Sequence, residues 1–261
     1  MKQLFGSFVI AFSMYSRIPM PRVEWTKERM RYALCFFPWI GVVIGGAELL
    51  LFSGIGRLGA AEQSAGLLFF RTGFGLAVPL LITGGIHMDG YLDVTDARHS
   101  YGSREKKLEI LSDPHIGAFA VIGLGVYFLL YGAAFSVLRW EEIRLLAFIF
   151  VLERALSGLS VVWFPMAKKD GLAVQFSDGA VKRTVRIVMA AYLFFGGGVL
   201  LFWGRLTGIL CLSTLGCTFF RYYRMSLNEF GGITGDLAGF FLQCCERNAV
   251  IMLALCRLLR I

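Results

Sequence analysis

The chain has 261 residues, 57% of them hydrophobic and 17% charged, with 24 Phe and a net charge of +8. A soluble domain runs nearer roughly 45–50% apolar and about 25% charged, so the composition excludes an ordinary soluble domain and defines a polytopic membrane protein. The basic total does not imply nucleic acid, because in such proteins Lys and Arg mark the cytoplasmic side.

The length holds roughly six to eight spanning helices of about 20 residues. The expected fold is therefore all-α, a single membrane-embedded helix bundle over residues 1–261. The six Cys (35, 211, 217, 244, 245 and 256) mostly sit in apolar runs without paired CxxC half-sites. They read as small buried hydrophobes and not as a zinc site or a disulfide frame. No small-residue cleavage site follows the first apolar run, Leu4 to Met14, so no cleavable signal peptide is expected.

Residues 1–32 continue from that run, too short to span, into SRIPMPRVEWTKERMR. The prolines flanking Met20 break any helix there, and the segment reads as an interfacial, cytoplasmic anchor with Trp25 at headgroup depth. Arg17 within it is either part of that anchor or a ligand for an anionic substrate. The first span is predicted over about 33–56, where Gly41, Gly45 and Gly46 allow close helix approach. Glu48 inside it should face the protein interior or an aqueous cavity, since an ionised group in lipid is costly. A link from Arg57 to Gln63 leads to a second span over about 64–86, whose Arg71 is expected to snorkel to the interface.

Beyond the polar stretch described next, spans are predicted over about 117–138, 143–164, 185–203 and 205–221, the last two divided by a tight turn at Gly204. Glu153 and Arg154 in the fourth span read as a mutually satisfied couple or as functional charges. The final apolar stretch, Leu237 to Ile261, is interrupted by Gln243, Glu246, Arg247 and Asn248, and reads as one tilted span or a broken one.

The long polar run is Gly84 to Gly117. It holds four of the seven Asp (Asp89, Asp93, Asp96, Asp113) and all three His (His87, His99, His115). If 88–97 is helical, Asp89, Asp93 and Asp96 at i, i+4, i+7 share one face. Three unpaired carboxylates there repel one another, and a hard divalent cation such as Mg²⁺ turns that repulsion into ligation. Residues 87–116 are therefore the expected acidic catalytic loop. Its second half, SREKKLEILSD, reads as an amphipathic helix with Leu108, Ile110 and Leu111 inward.

Alternating the spans puts 1–32, 87–116, 165–184 and 221–236 on one side. That side collects sixteen Lys and Arg, and the opposite links hold only Arg57, Arg139, Arg144 and Arg205. The bias makes the first set cytoplasmic, and it gathers every polar motif on one face of a cell (inner) membrane protein. Among those motifs, GGITGD (231–236) precedes an apolar helix. Its backbone N–H groups at Gly231, Gly232, Thr234 and Gly235 could form an anion-binding concavity, with Asp236 as a metal ligand or only an N-cap. Lys168, Lys169, Arg154 and Arg17 supply cations on the same face, the companions expected of a phosphate site.

HMDGYLDVTDA, SDPHIGAF, FPMAKKDGL and GGITGDLAG together resemble the cobalamin synthase family (adenosylcobinamide-GDP ribazoletransferase), and SRIPMP and FFPWIGVVIG match the family's opening. The resemblance covers nearly the whole chain. It departs at His115, where the family more often has Arg, at Lys168, which replaces an Arg of a PYAR-like motif, and at Gln243, a place often held by Glu. It implies a multi-pass enzyme of the last steps of vitamin B12 assembly. Such an enzyme uses Mg²⁺ to join adenosylcobinamide-GDP to α-ribazole or its 5′-phosphate, releasing GMP. In the expected chemistry Asp89, Asp93, Asp96 and Asp236 hold the metal against the diphosphate, and His87, Asp89 or Asp93 takes the hydroxyl proton. Arg17, Asp113, Arg154, Lys168 and the GGITG backbone contact substrate. Two other readings stand beside it. One is an Asp-rich CDP-alcohol phosphotransferase, whose carboxylate spacing this chain does not reproduce. The other is a transporter coupled through Glu48, Glu153 and Arg154. Oligomeric state is left open.

Overall fold

Backbone polar groups cannot go unpaired in lipid, and the long apolar runs accordingly close into helices. The structure, a computed structural model, describes residues 2–58 and 64–261. The predicted link falls outside these from residue 59 to 63, as does the Arg57 side chain. The order is α1 (Lys2–Tyr15), a short α2 (Lys27–Met30), a 3-10 turn (Ala33–Phe36), α3 (Phe37–Leu58), α4 (Ala65–Thr83), α5 (Ile86–His99) and α6 (Arg104–Ile110). Then come α7 (Ala118–Ser136), α8 (Trp140–Trp163), α9 (Leu172–Gly179), α10 (Lys182–Met225), a π-helical turn (Ser226–Phe230) and α11 (Gly235–Leu259). The acidic run forms the two helices its periodicity suggests, α5 carrying the Asp ladder and α6 the amphipathic half. The terminal stretch is one unbroken helix.

Among the described residues, six helices are long and apolar enough to cross a membrane. The 44-residue α10 is broken by non-helical backbone at Arg205 (φ 47°, ψ −118°). A Cβ on Gly208 would overlap the Leu200 carbonyl, although residues eight apart in a straight helix are about 12 Å apart. The two limbs therefore fold back on each other one residue beyond the predicted Gly204 turn, and six helices make seven crossings.

The bundle is built around α8, whose Leu146, Ile149, Phe150, Leu152 and Ala155 are fully buried. Gly41 and Gly45 of α3 lie directly on the α8 backbone at Phe150 and Ala147, the close approach their small size permits. Large apolar side chains such as Phe69, Phe194 and Phe202 point outward, where the solvent is lipid. The N-terminal segment is more than an interfacial anchor. Val9, Ile10 and Ala11 of α1 are buried, and Ser7 Oγ donates to the Arg29 carbonyl.

Within the bundle, Glu48, Glu153 and Arg154 are fully buried and Glu246 nearly so. Glu48 faces inward as expected. Arg154 donates to Glu153, to Glu246 (3.2 Å) and to the Phe150 carbonyl (3.0 Å). This corrects its assignment as a substrate contact: an arginine with no exposure and three internal acceptors holds the bundle together and cannot meet a phosphate. At one end of the bundle Arg71 donates to the Ser136 and Leu138 carbonyls (3.2 and 3.4 Å), which ties it to the C-terminal end of α7 in place of free snorkelling. The segments around 15, 87, 168 and 234 meet at the other end, as the alternation of spans requires.

Candidate active site

Two helices carry the acidic motifs, and each follows a pair of glycines. Gly84 and Gly85 (φ 69° and 81°) turn the chain from α4 into α5, and Gly231 (φ 80°) with Gly232 turns it toward α11. The two stretches share the form G-G-I-x-x-D, as GGIHMD (84–89) and GGITGD (231–236), a repetition that signals two equivalent helix entries. They cross at a contact that only small residues allow. A Cβ on Gly90 would lie 2.6 Å from the Asp236 carbonyl oxygen, and one on Gly239 would lie 3.1 Å from His87 Cα. That crossing brings Asp89 and Asp236 to the same place.

The GGITG backbone is used differently from the expected concavity. The Gly231 N–H donates to the Leu227 carbonyl, Gly232 N–H to Ser226 and Ile233 N–H to Pro165, while Ala167 N–H donates back to Ile233 (2.9 Å). These donors are occupied within the protein, which corrects the anion-binding role given to Gly231 and Gly232. The segment instead forms a short parallel bridge, Met166 with Ile233, that fixes the loop bearing Lys168 beside α11. Thr234, not Asp236, is the N-cap, accepting from the Leu237 N–H (3.2 Å). A Cβ on Gly232 would sit 2.5 Å from the Pro165 carbonyl oxygen. Gly232→Ala should therefore break the bridge, costing roughly 1–3 kcal/mol, read as a lower thermal midpoint of the detergent-solubilised protein.

Between α1, α5, α8, α11 and the 168–176 segment lies a cavity of about 350 Å³. Asp89, Asp170, Asp236, Thr234, Gly235 and Lys168 line its polar part, and Lys168 Nζ donates to Ser112 Oγ at 2.7 Å. Tyr15, Leu34, Phe37, Phe176 and Leu242 line the rest, with His87 among them. None of these apolar residues carries a local sequence signal. They come from segments far apart in the chain, and the AKKDGL stretch preceding α9 is the one pointer to any of them.

Burial first, then the charges of Asp89, Asp236 and Asp96, pushes the Asp93 carboxyl up to about 6. Four carboxylates thus share one electrostatic neighbourhood. His87 is 4% exposed and its Nε2 has no partner. Burial, reinforced by the Arg154 charge, pushes its imidazole down to about 3, so the ring is neutral.

Other expected residues lie outside the cavity. Asp93 stands one turn beyond Asp89 along α5. Asp96 lies against Gly117 at the start of α7. Asp113 is on the surface, accepting from the His115 N–H (3.0 Å) and pairing with its ring. Arg17 is exposed and lies across Gly84 at the α4–α5 turn. Glu229, which no sequence motif marks, bridges Arg98 (3.1 Å) and Lys107 (2.9 Å), fastening the π-helical turn to α5 and α6. Among the described residues, no three His, Cys, Asp or Glu side chains already converge in metal-ligating geometry. The donor chemistry nonetheless fits Mg²⁺, which is usually bound by one or two carboxylates plus substrate phosphates and water and not by a complete protein cage.

Fold and site together define a polytopic helical membrane protein whose polar chemistry is gathered in one pocket at one end. The cobalamin-5-phosphate synthase family profile matches residues 7–256. An adenosylcobinamide-GDP ribazoletransferase of Lachnoclostridium phytofermentans is 49% identical over 94% of this chain and 91% of its own. Proteins of the same description from Desulfitobacterium hafniense (31% identical, 91% and 92% covered) and Clostridium perfringens (30%, 98% and 100%) are also similar. No solved structure matches. The chain belongs to the cobalamin-5-phosphate synthase family and is a transferase of cobalamin biosynthesis.

Proposed function

We propose that this chain joins adenosylcobinamide-GDP to α-ribazole or its 5′-phosphate with Mg²⁺, releasing GMP. The observation that carries this reading is the meeting of Asp89 and Asp236 in one cavity with Lys168, a donor set suited to a diphosphate. Asp89 and Asp236 would hold the cation, with Asp93 beside them. The bound ion supplies charge neutralisation for the diphosphate and its leaving oxygen. A ribose hydroxyl of the acceptor attacks the phosphorus nearer the corrinoid. A new P–O bond forms, the bridging P–O bond breaks, and GMP leaves with the bridging oxygen. Lys168 steadies the non-bridging oxygens. The hydroxyl proton passes to a carboxylate of the cluster. His87, kept neutral by burial, orients the acceptor and does not store the proton.

The charge bias of the links supports a cytoplasmic placement of the cavity. Purified protein in nanodiscs, given both substrates and Mg²⁺, should release one GMP for each cobalamin formed, and chelation should stop it. No GMP under these conditions would defeat the proposal. Turnover of added substrates by inside-out vesicles, and not by sealed right-side-out ones, checks the orientation.

A further inference from the structure

The cavity is lined by carbon as well as by polar groups, and the carbon-rich part has no role in the phosphoryl chemistry proposed above. Tyr15, Phe37, His87 and Phe176 form an aromatic group. The Tyr15 ring lies 4.3 Å from Phe37, 5.7 Å from Phe176 and 6.2 Å from His87, the last pair stacked (centroid distances). Leu34 and Leu242 complete that wall. The polar groups within it are the buried His87, the Tyr15 hydroxyl and Ser157.

We infer that this part of the cavity is the acceptor-base subsite, taking the flat, largely apolar benzimidazole-type base of the acceptor nucleoside between aromatic side chains, with the unpartnered His87 Nε2 facing its single in-plane ring nitrogen. The inference rests on the function proposed above. Three pieces of the two substrates compete for the space. A corrin macrocycle is too bulky for a cavity of about 350 Å³, which lies at the small end of ligand pockets. Guanine presents several donors and acceptors along its edge, and a wall of carbon would leave most of them unpaired. A benzimidazole exposes two π faces and one acceptor, matching what the wall offers. The ribose then points toward Asp89, Asp236 and Lys168, where the diphosphate is bound.

The test is equilibrium dialysis of α-ribazole against the full chain in nanodiscs, with Phe176→Leu and Phe37→Leu as variants that keep apolar volume and remove a ring. Loss of one ring contact should raise the Kd for α-ribazole about tenfold. The KM for α-ribazole should rise in parallel, with the KM for adenosylcobinamide-GDP changing less than about twofold. Guanosine should not displace bound α-ribazole. A thermal midpoint near that of the wild type in either variant shows that folding is not the cause. An unchanged Kd in the folded variants, or displacement by guanosine, overturns the assignment. If α-ribazole binds as described but no GMP is ever released, the subsite stands and the transferase reading falls. If GMP is released but Kd does not move in the variants, the subsite falls and the transferase reading stands.

Discussion

Asp89→Asn should reduce the rate of GMP release by about 10²- to 10³-fold, the scale of losing one preorganised stabiliser of transition-state charge. The substitution keeps the shape of the side chain and removes only its charge. Asp89 lines the cavity with Asp236, and Gly90 beside it packs on the Asp236 backbone, so both residues border the same space. Two consequences separate this from a general loss of fold. The Mg²⁺ concentration giving half-maximal rate should rise, because one hard oxygen donor has been lost. The double variant Asp89→Asn with Asp236→Asn should be little worse than either single one, as groups acting as a unit are not additive. Glu109→Gln, a change on the exposed face of α6 where Glu109 pairs only with Lys106, should leave the rate unchanged. Full turnover by Asp89→Asn would show that the cavity is not where the transfer occurs.

Arg154→Met should cost about 3–5 kcal/mol, the penalty for removing one partner of a buried ion pair. Glu153 and Glu246 both accept from Arg154, and all three lie inside the bundle with essentially no exposure. Taking away the one guanidinium leaves two carboxylates facing each other in an apolar interior, with Glu48 also buried. The expected result is a thermal midpoint lowered by many degrees, or protein that fails to leave the membrane as a monodisperse species. Glu48→Gln should by contrast leave the thermal midpoint nearly unchanged. Neither Glu48 oxygen has a partner, so the substitution sacrifices no hydrogen bond and breaks no ion pair. If Arg154→Met melted at the wild-type temperature, the network would have no structural role.

The site is legible in the sequence in part. The ladder Asp89, Asp93, Asp96 depends only on helical periodicity, which α5 obeys. Tertiary contacts then divide it: Asp89 is in the cavity, Asp93 sits a turn away and Asp96 lies against Gly117. GGITGD reads as an anion cradle because glycine-rich turns expose N–H groups. In the folded chain the Leu227 and Ser226 carbonyls take up the Gly231 and Gly232 N–H groups and the Pro165 carbonyl takes that of Ile233, and the motif by itself does not announce these pairings. Arg154 resembles a phosphate ligand because it is a cation inside a span, where a charge without a partner would be costly. Which way it points is settled by Glu246, 92 residues later.

What the sequence determined by itself was whatever follows from local pattern in a bilayer. The all-helical membrane fold, the approximate spans, the inward placement of Glu48 and the gathering of polar segments at one end all come from hydropathy, charge bias and the cost of unpaired polar groups in lipid. What only the tertiary structure decided was which polar groups consume one another and which are left to meet a ligand. It also decided that Tyr15, Phe37, His87 and Phe176 enclose a single space. Those outcomes depend on helix crossings set by close contacts such as Gly90 on Asp236, where residues far apart in the chain compete for the same partners, and local pattern carries no record of that competition.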